Sequence, residues 1–350
     1  MSTKGRVHIL PHRAIMLALA VAACVGAHGC AARPQDCAQP DVRCAGLVTD
    51  FGSVDEGMSQ QAWLALQDAR SAGLLDRVDF IETVDTRDRE ANISAFGEDG
   101  YDIIVTVGQG IANETIAAAQ KYPDLYFIGI QQMPDAVSDL TNFVTLVFHE
   151  DRSGFLAGAL ADMLTRTRHV AAVCEVNFID SIRRYCDGFR AGAVYADPAI
   201  DVDVIYRSGS QELLFRDVDW GRATALLALE QGADVLFAVG AETADAALTA
   251  AAARGALVIG AETDQYTRLP EIRPQLVSSA ILDVRLGVLT LLQRALEGQF
   301  PGDEYVGSVG LAPFHEFEDR MAPEMVTKLE TIAGDLESGA IKTDVPYEVQ

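Results

Sequence analysis

Two nine-residue stretches of this 350-residue chain repeat one another. Residues 100–108 read GYDIIVTVG and residues 232–240 read GADVLFAVG, 132 positions further on. Each opens on G-x-D, continues through a β-branched, apolar run and closes on V-G. Each leads into a helical stretch and then a second apolar strand, ending in FIGI and LVIG respectively. Strands that are apolar on both faces must be covered on both faces, which is the condition of a parallel sheet flanked by helices. The same alternation runs along the chain. It predicts strands at 45–49, 78–82, 102–107, 125–130, 143–148, 169–174, 202–206, 234–239, 256–260 and 275–281. Helices are predicted at 58–72, 110–120, 153–165, 179–195, 219–231, 242–254, 283–297 and 322–337. The repeat divides this α/β chain into two doubly wound lobes. Ligands bind such sheets outside the carboxyl ends of the strands, and two such edges facing each other form a cleft that closes by hinge motion.

Charge and motifs narrow the function. There are 51 acidic residues against 27 Lys and Arg, a net charge of −24. That balance opposes binding to nucleic acid, which requires clustered cations, and docking of the folded body on anionic lipid. The nucleophile elbow, the P-loop and the dinucleotide fingerprint are all missing. His8, His12 and His28 fall near the amino terminus; His149, His169 and His315 are scattered and read as surface or strand-end residues. No CxxC or HxxxH spacing suggests a metal, and no cofactor is implied. The simplest reading is a binding protein rather than an enzyme. An extracytoplasmic hydrolase would have to draw its acid from Asp50, Asp55 and Glu56, with no activated nucleophile beside them.

The amino terminus reads as an export signal. Lys4, Arg6 and Arg13 precede an apolar run from Ala14 to Ala23, too short to span a bilayer. Val21-Ala22-Ala23-Cys24 has the small residues of a lipoprotein cleavage site, so 1–23 is expected to be a signal peptide and Cys24 the lipidated residue. Cys30 is the alternative, and it would leave an even number of cysteines. Residues 24–43 read as a tether. Outside the cytoplasm disulfides persist. Cys174–Cys186 is the expected pair, with Cys37–Cys44 a weaker second.

Against this background, residues 46–63, GLVTDFGSVDEGMSQQAW, resemble the basic-membrane-protein family, whose usual form is close to VTDxGxxDDKSFNQxxW. GYDIIVTVG with KYPDLYFIGI, FVTLVFHEDRSGFLAGALADMLTRT (143–167), DGFRAGA (187–193), QGADVLFAVG (231–240), GAETDQ (260–265) and VGLAPF (309–314) continue the resemblance colinearly over about 45–340. The family comprises substrate-binding lipoproteins of ABC transporters that resemble purine nucleoside receptors. The resemblance implies a type I periplasmic-binding-protein fold crossing between lobes near 148, 264 and 310. The first lobe would be 44–148 plus 265–309, and the second 149–264 plus 310–345. It also implies a lipid anchor, a small-molecule ligand and an ABC permease as partner. The alternatives are a ligand-sensing lipoprotein working with a signalling partner, or a non-nucleoside solute such as a sugar.

The family's binding positions carry over in part. Asp50 and Asp55 stand at its first-loop carboxylates and Glu56 at a third. The segment is one residue shorter than the family's, which puts Met58 at a base-stacking aromatic and Ser59 at a base-reading Asn. Gln131 replaces an Asp, Phe215 matches a second stacking aromatic, Glu262 replaces the Asp that grips the ribose, and Leu282 replaces a sugar-contacting Lys. Gly108 and Gln109 lie at the first lobe's carboxyl edge, where backbone N–H groups face a ligand. Met58 and Trp63 are also compatible with core packing, Phe215 with anchoring a loop, Asp50 with capping a turn and Trp220 with packing. Four acids and a lost lysine imply an anionic cleft and a ligand that is neutral or cationic, rich in donors and free of phosphate.

Overall fold

The computed structural model describes residues 36–55, 57–133 and 140–346. The signal peptide expected over 1–23, the candidate lipidation sites Cys24 and Cys30, and Glu56 lie outside the described residues. The element order is β1 (Cys44–Thr49), α1 (Gly57–Ser71), β2 (Arg77–Ile81), α2 (Arg89–Glu98), β3 (Ile103–Val107), α3 (Ala112–Lys121), β4 (Tyr126–Ile130) and β5 (Phe143–Phe148). Then come α4 (Glu150–Leu164), β6 (His169–Cys174), α5 (Asp180–Ala196), β7 (Asp201–Tyr206), α6 (Val218–Glu230), β8 (Val235–Val239), α7 (Ala241–Ala253) and β9 (Leu257–Glu262). The chain continues through a single turn α8 (Gln265–Arg268), β10 (Leu276–Leu282), α9 (Val284–Leu296), β11 (Asp303–Gly307), β12 (Val309–Leu311) and α10 (Pro323–Ser338).

The strands form two six-stranded sheets, β11-β5-β4-β3-β1-β2 and β12-β10-β9-β8-β6-β7. Every pairing in the first is parallel. In the second only β10–β12 is antiparallel. The repeated segments are β3 and β8, which hold the same place in their sheets, and every residue of both is buried. The two-lobe α/β architecture inferred from the repeat is therefore the one observed.

The structure corrects two boundaries. The expected crossing near 264 does not occur: Asp264 caps α8 by accepting from Tyr266 N–H (3.1 Å), and β10 then pairs with β9 in the second sheet. The chain crosses at Asp283, into α9, which packs on α1 of the first lobe. It crosses back between β11 and β12. Of the tether expected over 24–43, the described residues from 37 on do not form one. Cys37 is buried and bonded to Cys44, and a Cβ on Gly100 would lie 3.0 Å from the Ala38 backbone. Residues 37–43 are thus part of the first lobe. Sequence reasoning also missed α2 and the short strands β11 and β12. In α2 only Ile93 and Phe96 are buried, too few to give a helical period.

The second lobe is built around one helix contact. α4 carries Gly154 and Gly158, and α5 carries Gly188 and Gly192, each pair four apart. A Cβ at any of the four would run into the partner helix's backbone: Tyr185 O and Phe189 O for the first pair, Asp151 O and Phe155 O for the second. Only glycine lets two helix backbones approach this closely. The contact brings together the first turns of the two helices, where Glu150 and Arg184 form a buried ion pair (Nε–Oε2, 2.7 Å). Cys174, at the end of β6, is bonded to Cys186 in α5.

Candidate functional site

The expected site residues lie at the carboxyl edges of the two sheets. Asp50 directly follows β1. Its Oδ2 accepts from Gly110 N–H (2.9 Å), and its Oδ1 forms an ion pair with Arg89 Nη2. Arg89 Nε also donates to the Asp50 carbonyl (3.2 Å). Glycine is required around it, since a Cβ on Gly108 would lie 2.6 Å from Asp50 Cβ and one on Gly110 would lie 2.6 Å from Oδ2. The loop after Asp50 is pinned by Glu82, which accepts from Val54 N–H (2.8 Å) and Ser53 Oγ (2.9 Å). These two bonds hold the Glu82 carboxyl below its usual range.

The remaining first-lobe residues are not gathered around Asp50. Asp55 is exposed, its N–H donating to Ser53 Oγ (3.1 Å). Met58 and Ser59 are half-buried in the first turn of α1, where Met58 packs on the main core. Gln109 brackets the Met133 backbone, donating to its carbonyl (2.9 Å) and accepting from its N–H (2.7 Å). Gln131 donates to Glu150 Oε1 (2.7 Å). Two large apolar side chains that sequence reasoning did not single out stand open at these edges, Phe51 after β1 at 68% exposure and Phe178 after β6 at 61%.

In the second lobe Glu262 ends β9. It shares a small recess with Asp245, Gln265 and Arg268. Arg268 pairs with Asp245. Burial raises the Glu262 carboxyl above its usual value; Arg268 opposes the rise, while Asp245 and Glu150 add to it. Burial likewise lifts Asp245 to about 6 despite Arg268. The buried Tyr185 hydroxyl, with Glu262 and Glu150 nearby, is pushed up too. Phe215 packs on the main core, and its carbonyl accepts from Thr243 N–H (3.4 Å). Leu282 is buried at the end of β10. Gln131, Phe215 and Glu262 have positive φ values of 55°, 65° and 68°. Left-handed backbone in non-glycine residues is strained, and it concentrates where function demands a fixed geometry.

Of the acids expected to line the cleft, only Asp50 forms an ion pair among the described residues, whereas Asp55 and Glu262 form none and three further acids are paired. Asp50 is paired with Arg89, Asp245 with Arg268, Glu150 with Arg184 and Glu175 with Arg207. Sequence reasoning missed all four arginines, and of the four acids it named only Asp50. Glu175 had a readable signal: LVTD at 47–50 and AVCE at 172–175 both end a strand in an acid, so the repeat extends one strand further back. Among the described residues one group has metal-ligating character. His169, Asp201 and Asp203 lie within 4.8 Å of one another at the amino edge of β6 and β7, away from the carboxyl edges. Two of the three already form a hydrogen-bonded pair (Nε2–Oδ2, 2.9 Å).

Known proteins match this arrangement. Residues 45–308 fit the family model described as ABC transporter substrate-binding protein PnrA-like. The chain is 25% identical over 320 residues to the CD4+ T-cell-stimulating antigen of Listeria monocytogenes, covering 85% of this chain and 86% of that one. It is 25% identical over 281 residues to the ABC transporter nucleoside-binding protein BmpA of Lactococcus lactis, covering 75% and 77%. Among solved structures, an ABC transporter solute-binding protein from Conexibacter woesei superposes with a TM-score of 0.70 at 19% identity, covering 87% of this chain and 99% of that one. Among the described residues no helix is long and apolar enough to cross a membrane.

Proposed function

This chain belongs to the PnrA-like, or basic-membrane-protein, family of ABC transporter substrate-binding proteins, and from that premise we propose that it captures a neutral, nucleoside-like ligand between its lobes for a membrane permease. The observation that carries the neutral assignment is the pairing of the two partly exposed edge acids, Asp50 with Arg89 and Asp245 with Arg268. Edge acids matched by arginines give little net attraction to a free cation or anion, and they offer fixed donors and acceptors to a polar ring. The nucleoside-binding relative points to the same ligand class. Of the positions carried over by resemblance, Glu262 in the recess with Asp245 and Arg268 is the second-lobe position best placed to meet a ligand. Capture works by closure, which requires the ligand to bind the closed state more tightly than the open one. We place the lipid anchor at Cys24, with Cys30 the alternative, and we assign no catalytic step.

Native mass spectrometry of the purified protein, with a thermal-shift series of nucleosides, free bases, sugars and nucleotides, tests this. A nucleoside should co-purify or raise the melting temperature, and nucleotides should not. Stabilisation by a sugar or a cation with none by any nucleoside would refute the assignment.

A further inference from the structure

We propose that Arg89 is the side chain with which the first lobe selects its ligand. It would donate to an acceptor edge of the type presented by O6 and N7 of a 6-oxopurine, with Asp50 as the residue that positions it. The inference rests on the nucleoside reading above and narrows it to one subclass.

Several polar groups at the first lobe's carboxyl edge are committed within the protein. Asp50 uses one carboxylate oxygen on Gly110 N–H and the other on Arg89. The Gln109 amide is spent in both directions on the Met133 backbone. The Gln131 amide N–H donates to Glu150. Arg89 is different. A guanidinium carries five N–H donors, and among the described residues its contacts, through Nε and Nη2, all go to Asp50. The side chain is buried enough to be held and still 18% exposed. A Cβ on Gly110 would lie 2.7 Å from Arg89 Nη2, so the glycine turn leaves the guanidinium its room. The second lobe's equivalent differs in access rather than in donors: Arg207 contacts Glu175, Ser210 O and Asp217 and keeps an unpartnered Nη2, but it is 1% exposed and cannot reach a ligand.

A planar fork of donors fits two adjacent acceptors, and the O6/N7 edge of a 6-oxopurine is such a pair. Adenine presents an amino donor at the same edge, which opposes a guanidinium. Position 58 holds methionine, which packs on the main core and has no planar face for stacking, so discrimination falls to the edge of the base.

The test is isothermal titration of the full chain with inosine and adenosine, for wild type, Arg89→Gln, Arg89→Lys and Asp50→Asn. Wild type should bind inosine about tenfold or more tighter than adenosine. Arg89→Gln should erase the gap by weakening inosine while leaving adenosine little changed. Arg89→Lys keeps the charge without the fork and should retain only part of the gap. Asp50→Asn should narrow the gap in the same sense, because it frees the guanidinium from its position. Melting curves without ligand check folding. If Arg89→Gln does not fold, the inosine-to-adenosine ratio of Arg89→Lys decides. Equal binding of the two nucleosides by wild type, or an equal loss of both in Arg89→Gln, overturns the role of Arg89 and leaves the nucleoside reading standing. Failure of both nucleosides to bind wild type overturns that reading and this inference together.

Discussion

The two lobes carry the same three-part device at the same place in their sheets. In the first, Asp50 follows β1, Arg89 pairs with it, and Gly108 at the end of β3 leaves it room. In the second, Glu175 follows β6, Arg207 pairs with it, and Gly240 at the end of β8 does the same, a Cβ there lying 2.5 Å from Glu175 Cβ. The copies differ in burial. The side chains of Asp50 and Arg89 are 23% and 18% exposed, whereas those of Glu175 and Arg207 are 0% and 1% exposed. An ion pair removed from water has no means of meeting a ligand, and one left partly open does. The duplication therefore gives one copy to architecture and one to recognition.

The largest effect should come from breaking the sealed copy. Arg207→Leu leaves Glu175 charged, buried and unpaired, which costs about 3–5 kcal/mol. The matching Arg89→Leu leaves Asp50 near water and should cost about 1 kcal/mol or less. Urea unfolding of the two variants measures the difference. Equal losses would mean that the two pairs play the same part, and the division between the lobes would be abandoned.

The repeat that revealed the lobes is legible because strands buried on both faces leave little choice of residue. β3 and β8 each came within a residue of their observed starts. What was missed has physical causes. α2 buries too little to show a period, and β11 is an edge strand with one buried residue. The crossing that the resemblance implies near 264 lies at 283, because after the one-turn helix α8 the chain still adds β10 beside β9. Strand-end acids such as Asp50 and Glu262 can be read from sequence. Their partners cannot, because Arg89 is 39 positions from Asp50 and Arg207 is 32 from Glu175. Only the fold fixes which arginine meets which acid, so the sequence could name Asp50 for the cleft but not the arginine that offsets its charge.

A smaller effect separates the lobes by how their helices pack. Gly158 in the second lobe faces the backbone of α5 at Phe189 O, whereas Gly97 in the first faces the ring of Tyr122, whose Cε2 lies 2.8 Å from where an alanine Cβ would sit. A backbone cannot swing aside and a ring can. Gly158→Ala should therefore cost about 1–3 kcal/mol by overpacking, and Gly97→Ala less. Thermal unfolding of the pair checks the order. The opposite ranking would show that the α4–α5 contact has slack and does not fix the Glu150–Arg184 pair.

The smallest expected effect is a pH slope in the second lobe. Asp245 is lifted by burial to about 6, with Arg268 as its partner and Glu242 and Glu271 adding to the rise. In the unfolded chain an aspartate titrates near pH 3.9. Between about pH 4 and about 6 the folded protein thus holds a proton that the unfolded chain has lost. Stability from this group must then fall as pH rises through that window and level off above it. Glu262 is raised for the same first reason, burial, and acts in the same direction. Asp245→Asn should flatten the slope between pH 4 and 6 while leaving the Asp50–Arg89 edge unaltered, and urea midpoints across that range measure it. An unchanged slope in Asp245→Asn would place the proton elsewhere, and Glu262→Gln, measured the same way, would then locate it.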